Sequence, residues 1–409
     1  MKPNLVATDL FADSPFPKVN WGSLVIERQE KTVDDSFEPL SVGQMGVTSQ
    51  LDSVARPKDP TGRKIVRSGD IVINSRSDRR GASGVSSLEG AVSVVYSVLS
   101  PKGNVLHSGF AEHLLKSRVF QDTFYLAGVG IVDDLWTTNF NRMSSIRVPL
   151  PPLETQRAIA DYLDRETAEV DAMSADLDEL ETLLTERRKA VVTGTVETLS
   201  AKYPTPQLGT LVQMVSGSGF PHALQKQEGK KLPFYKVGSL SVISEEGVVE
   251  DDRNTISHAE AKALGARVVP ADSVLLAKIG AALLLARFVR NDRPCCIDNN
   301  MLALVPTPRV EARYLVHALS RVDINLLERI GPVPTLDLGG LRQHRLPLPP
   351  LDEQRRIADE IDRETAEIDA MLADIAELRD LLAERRAAVI AAAVTGQIEV
   401  PTTQETEHA

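Results

Sequence analysis

The chain has 409 residues, a formal net charge of −11, 42% hydrophobic residues and 25% charged residues. That length allows two or three separate cores, since single domains mostly run to roughly 100 to 150 residues, and the composition excludes wholesale disorder. The longest uncharged apolar run, Ile279 to Ala286, falls far short of the roughly 20 residues of a membrane span, and no charged-then-apolar signal opens the sequence, so a cytoplasmic protein with no membrane partner is expected.

Along the chain, residues 1–146 carry no net charge, and residues 203–344 carry +2. The acidity is confined to 147–202 (−5) and 345–409 (−8). A low overall pI therefore does not exclude cationic patches on the two globular segments. In the first segment Asp70–Asn74 and Ala91–Tyr96 read as buried strands, and Leu114–Tyr125 reads as a helix. At 149–157 comes Pro-Leu-Pro-Pro-Leu-Glu-Thr-Gln-Arg, followed by a long helix with apolar positions Ile159, Leu163, Val170, Met173, Leu177, Leu180 and Leu184 at heptad spacing. The helix is expected from Glu154 to Val192, with a linker from Thr193 to Gln207 that contains Gly194, Pro204 and Pro206.

The second segment repeats the grammar. Ser273–Ala277 reads as a strand and Glu311–Ser320 as a helix, and Gly69–Arg76 lines up with Ala271–Lys278. At 347–355 the motif returns as Pro-Leu-Pro-Pro-Leu-Asp-Glu-Gln-Arg, offset by 198 residues. A second seam comes after it at Ile357, Ile361, Ile368, Met371, Ile375, Leu378 and Leu382. Asp164–Glu169 maps onto Asp362–Glu367 at the same offset without a gap. So long a repeat unit is no solenoid; it predicts two related halves able to pair about a pseudo-two-fold axis. The expected fold is two α/β (α+β) globular domains separated by a long antiparallel two-helix coiled coil. Its divisions are 1–146, 147–202, 203–344, 345–400 and a disordered tail at 401–409.

The Leu-Pro-Leu-Pro-Pro-Leu-Asp-Glu-Gln-Arg-Arg-Ile-Ala motif at 346–358, with its related copy at 149–157, the long heptad helix and the closing Ala393-Val394-Thr395-Gly396-Gln397-Ile398 resemble the conserved regions of type I restriction-modification specificity subunits. Thr155, where the second copy has Glu353, and the altered Val192-Thr193-Gly194 depart from the pattern without removing the helix. The resemblance implies a noncatalytic subunit that binds double-stranded DNA. Each target recognition domain would read half of a bipartite sequence, the helices fixing the spacer and docking two adenine-methyltransferase subunits. Restriction and translocase subunits would complete the complex. S-adenosylmethionine, ATP and Mg would then be bound by those partners, with no cofactor on this chain. The reading from another class is a coiled-coil scaffold whose globular ends bind proteins.

Arginine suits both phosphate and the guanine edge. The candidate DNA-binding cations are Arg63, Lys64, Arg67, Arg76, Arg79 and Arg80 in the first segment. In the second they are Lys230, Lys231, Lys236, Lys278, Arg287, Arg290 and Arg293. A solvated surface accounts equally for about half of these. Asn74, Asn139, Asn141, Asn299 and Asn300 are possible base readers, with a simple turn the alternative for the last two. No catalytic residue and no metal site is expected: the histidines lack zinc spacing, the adjacent Cys295 and Cys296 have no partners elsewhere, and no Gly-rich cofactor loop or methyltransferase motif appears.

Overall fold

The computed structural model describes residues 9–33, 36–50, 62–76, 81–130, 136–244, 246–329 and 331–400. The expected tail at 401–409 lies outside them. The chain divides into two compact units. Unit 1 is Met1–Asp178 with Ala376–Ala409, and unit 2 is Glu179–Ile375. Each therefore owns the first part of one long helix and the last part of the other.

Unit 1 is built on a four-stranded sheet of β1 (Val25–Glu27), β2 (Ile71–Asn74), β3 (Ser83–Val85) and β4 (Tyr96–Pro101), in the order β1-β4-β2-β3. Unit 2 has β5 (Val212–Ser216), β6 (Val274–Ala277), β7 (Val289–Arg290) and β8 (Met301–Pro306), in the order β5-β8-β6-β7. The two orders are the same, and all pairings are antiparallel. The short match between Gly69–Arg76 and Ala271–Lys278 thus falls on equivalent strands, β2 and β6. Both are fully buried, which is why they share an apolar run while their surroundings diverge.

After the last strand of each sheet comes a helix that packs on a rod: α1 (Ser108–Lys116) in unit 1, followed by α2 (Arg118–Leu126). The rod helix α3 spans Leu153–Lys202. In unit 2 the equivalents are α4 (Ala312–Leu319) and α5 (Leu351–Thr395). At 1.5 Å per residue the rods are about 75 Å and about 68 Å long.

In unit 1, Arg386 Nε lies 3.2 Å from Asp171, Arg385 Nη2 lies 3.5 Å from Glu166, and Arg379 pairs with Asp178. Residue numbers rise on α5 as they fall on α3, so the helices run antiparallel. In unit 2 Arg188 grips Asp369 with two bonds of 2.7 and 3.0 Å. That contact is the Arg386–Asp171 pair displaced by the repeat offset on both helices. Each core is completed by both rods. Ile159 and Leu163 of α3 and Ile390, Ala393 and Val394 of α5 join Trp21, Phe110 and Leu114 in unit 1. Leu199 of α3 and Ile357, Ala358 and Ile361 of α5 join Tyr314, Leu315 and Leu341 in unit 2.

Four expectations change. Ala91–Tyr96 is not one strand: Gly90–Val92 pairs in a separate three-stranded sheet, and a turn closed by Tyr96 N on Ser93 O leads into β4. The helix at 114–125 is two helices. Ser117 Oγ accepts from Phe120 N at 3.2 Å and starts α2, the usual use of serine as an N-cap. The linker at Thr193 does not exist as a break, because α3 runs through Gly194 to Lys202. Val196 and Leu199 are buried, so packing overrides the weak helix propensity of Gly194. Finally, Met173, Leu180, Met371 and Leu378, placed in the seam, are 48, 44, 49 and 48% exposed. A two-helix pairing seals only a narrow stripe, and the apolar face here is wider than that. The C-terminal rod ends at Thr395, before Gly396, whose φ of +73° lies in the left-handed region that favours glycine.

Candidate nucleic-acid interface

Ion pairing separates the predicted cations. Lys64 is largely buried; its Nζ donates to Tyr96 O at 2.9 Å and sits 3.5 Å from Glu27. Arg67 pairs with Glu30 at 3.0 Å, Lys230 with Glu260 at 2.5 Å, Arg290 with Asp272 at 2.7 Å and Arg293 with Asp252 at 2.7 Å. These five charges are already matched by carboxylates, which weakens them as phosphate ligands. Arg63 is half-buried on the Arg63–Val66 strand. Arg79 and Arg80 lie outside the described residues.

The remaining cations have no carboxylate partner among the described residues. Arg76 is exposed two residues past the end of β2, and Lys278 follows directly on β6; the bridges Arg76–Thr137 and Ile279–Thr335 align Arg76 with Ile279, so the two cations stand one residue apart in register. Arg287 and Lys231 are exposed, and Lys236 reaches only the neutral Gln225 at 3.4 Å. The ends of two equivalent strands thus each carry a cation with no carboxylate partner among the described residues, at positions one residue apart. The segments beyond that cation differ. In unit 2 the turn Ala281–Leu285 carries the half-exposed Leu284 and Leu285, with Leu283 buried beneath, between a Gly280 at φ +96° and an Ala286 at φ +48°. In unit 1 the sequence after Arg76 is Ser77-Asp78-Arg79-Arg80. The unit 2 turn offers apolar tips, which suit a thymine methyl group, and Arg76 of unit 1 offers a guanidinium group, which suits guanine or phosphate.

Two of the asparagine side chains have structural work: Asn74 Oδ1 accepts from Arg76 N at 3.0 Å, and Asn139 caps a short helix by accepting from Arg142 N. Asn141 and Asn299 are exposed, and Asn300 is half-buried in a turn that its backbone N closes on Asp298. Both cysteines are buried, and burial pushes the Cys296 thiol up to about 11, so neither is a ready nucleophile. Among the described residues no group of three or more His, Cys, Asp or Glu side chains is placed to hold a metal ion.

Sequence reasoning misses the residues that tie each domain to its rod. Gln156, 1% exposed, donates from Nε2 to Val105 O at 3.0 Å and Pro151 O at 2.8 Å, while its Oε1 accepts from His107 N at 2.8 Å. Gln354, fully buried, donates to Arg309 O at 3.0 Å and Pro349 O at 2.8 Å and accepts from Glu311 N at 2.8 Å. Eight positions further along, His113 of α1 meets Asp164 at 2.8 Å, and His317 of α4 meets Asp362 at 2.6 Å. Burial pushes the Asp362 carboxyl up, but His317 and Arg313 together hold it below the ordinary carboxylate range. The signal is present in the chain: the Gln and the Asp are shared by both copies of the repeat.

Residues 59–182 match the family described as Type I restriction modification DNA specificity domain. The chain is similar to the Type I restriction enzyme EcoBI specificity subunit of Escherichia coli, 34% identical over 110 residues, or 26% of this chain and 22% of that protein. It is also similar to the EcoKI specificity subunit of Escherichia coli strain K12, 31% identical over 100 residues, 24% of this chain and 21% of that one. The aligned stretch thus spans about a fifth of either relative. A chain from a solved type I R-M system, studied for its complex assembly and conformational transition, aligns over 94% of this chain and 99% of its own at 19% identity and a TM-score of 0.71. The HsdS subunit from Thermoanaerobacter tengcongensis aligns over 94% and 97% at 20% identity and a TM-score of 0.54. At such identities the structural likeness is one of fold.

Proposed function

We propose, from the premise that residues 59–182 belong to the type I restriction modification DNA specificity domain family, that this chain is the DNA-reading subunit of a type I restriction-modification complex. Each unit reads half of a split duplex sequence, and the paired rods set the distance between the halves. The observation that carries this reading is the repeat itself. Sheets of identical strand order, followed by rods of similar sequence, present different side chains past equivalent strands, Lys278 with Leu284 and Leu285 in unit 2 and Arg76 in unit 1. A scaffold with two equal ends has no need of unlike tips.

The chain supplies address rather than chemistry. Phosphate contacts from unmatched cations would hold the register, and exposed loop side chains would read base edges. The half-exposed Met173, Leu180 and Leu183 of α3 and Met371, Leu378 and Leu381 of α5 recur at the repeat offset. They support two like docking faces for adenine-methyltransferase subunits, which with restriction and translocase subunits would carry S-adenosylmethionine, ATP and Mg. Selection from a random duplex library on the full-length chain, with the subunits that co-purify from its own cells, tests the proposal. Enrichment of a split motif is expected; uniform weak binding would favour the scaffold.

A further inference from the structure

Gln156 and Gln354 hold the same place in the two copies of the motif, and each uses two donors and one acceptor on the same three kinds of partner. These are the carbonyl of the first proline in the motif's Pro-Pro pair, a carbonyl in the loop entering α1 or α4, and an amide of that loop. Each is followed by a His–Asp contact from the same loop's helix to the same rod. We infer that these paired clasps are the angular register of the reader: they fix the tilt of each domain on its rod and so the number of base pairs between the two half-sites. The inference rests on the DNA-reading function proposed above.

Both domains are also attached by apolar packing, through Ile159 and Leu163 in unit 1 and Ile357 and Ile361 in unit 2. Burial is non-directional and tolerates small rotations, whereas hydrogen bonds weaken steeply as they bend. The directional contacts therefore set the angle. Gln156 and Asp164, like Gln354 and Asp362, are eight residues apart, about 12 Å along a helix. Two directional attachments on one axis hold a tilt more closely than one.

The lever sets the size of the effect. A domain of about 145 residues has a radius of gyration near 15 Å, so its far face stands about 30 Å from the rod. Play of about 1 Å over the 12 Å baseline then moves that face by about 2.5 Å, less than the roughly 3.4 Å rise of a base pair. Losing one clasp should leave the spacer unchanged, and losing both should exceed one base pair. The units differ in reinforcement. In unit 2 Arg313 adds pairs to Asp359 at 2.8 Å and Asp362 at 3.2 Å. At the corresponding place unit 1 has Gly109, where an added Cβ would come within 2.9 Å of the Ala160 Cβ, so close helix packing stands in for the arginine.

The test is the same library selection, scored separately for half-site sequence and for spacer. The parent chain and Gln156→Ala are expected to recover one spacer length. Gln156→Ala with His113→Ala, in the unit without the extra arginine, is expected to recover at least two adjacent lengths, with both half-site sequences retained. Retention of the half-sites distinguishes a loosened domain from an unfolded one. Should the alanine pair lose the first half-site through unfolding, Gln156→Glu with His113→Gln, which keep side-chain volume, decides by the same outcomes. A folded double variant that keeps a single spacer overturns the clasp inference and leaves the DNA-reading function standing; a parent chain that selects no split motif overturns that function instead.

Discussion

Replacing Gln354 with alanine removes three hydrogen bonds of 2.8 to 3.0 Å from a fully buried site. Each buried bond contributes about 1 kcal/mol net, and each partner left without a substitute costs about 1–3 kcal/mol. Relaxation and water entry recover part of this, so a loss of about 3 kcal/mol is the reasoned figure. Unit 2 spans residues 179–375, and for domains of about this size 1 kcal/mol shifts the midpoint by roughly 2–4 °C. Scanning calorimetry should therefore show the unit 2 transition falling by roughly 6–12 °C. Gln343→Ala, an exposed glutamine in the same unit, serves as the control and should leave the midpoint within about 2 °C, since surface substitutions stay within about 0.5 kcal/mol. A Gln354→Ala shift no larger than the control's would show that this side chain does not lock the domain to its rod.

The same geometry sets other outcomes. Leu163→Ala, at a fully buried position, should cost about 2–5 kcal/mol in denaturant titration, whereas Leu180→Ala, at 44% exposure, should cost under about 1 kcal/mol. Asp251, buried and bonded to Arg253 and Ser239, is held down at about 2. Its folded value lies below the ordinary carboxylate range, so its stabilisation is full above about pH 4 and is lost as pH falls toward 2. Asp251→Asn should remove that acid-side slope from a series of melts. For duplex binding, Lys278→Ala and Arg287→Ala should each lower the salt slope by about 0.9 if each cation meets one phosphate; Lys230→Ala, whose charge is already matched by Glu260, should leave it unchanged.

The rods are legible in the sequence because a heptad seam repeated with a 198-residue offset is a long-range signal, and helix periodicity survives small errors of boundary. The expected break at Thr193 fails because glycine and threonine signal a stop only where nothing packs against the turn; here Val196 and Leu199 are buried, Leu199 in the unit 2 core. The same limit applies to the cations. Glu27 and Lys64, or Asp252 and Arg293, are far apart in sequence, so composition does not say which arginines and lysines are already matched. Gln354 carries no charge and belongs to no apolar periodicity, so although the repeat marks it, its three backbone partners are set by the fold.

If two unlike domains on paired rods give one complex its DNA address, the methylated adenines of the source cell record it, and they can be mapped across the genome with and without this chain. Deletion should erase methylation at one class of split sites, with two unlike halves at a fixed separation, and restoring the chain should return it. An identical methylation map in both cells would rule out the DNA-reading role.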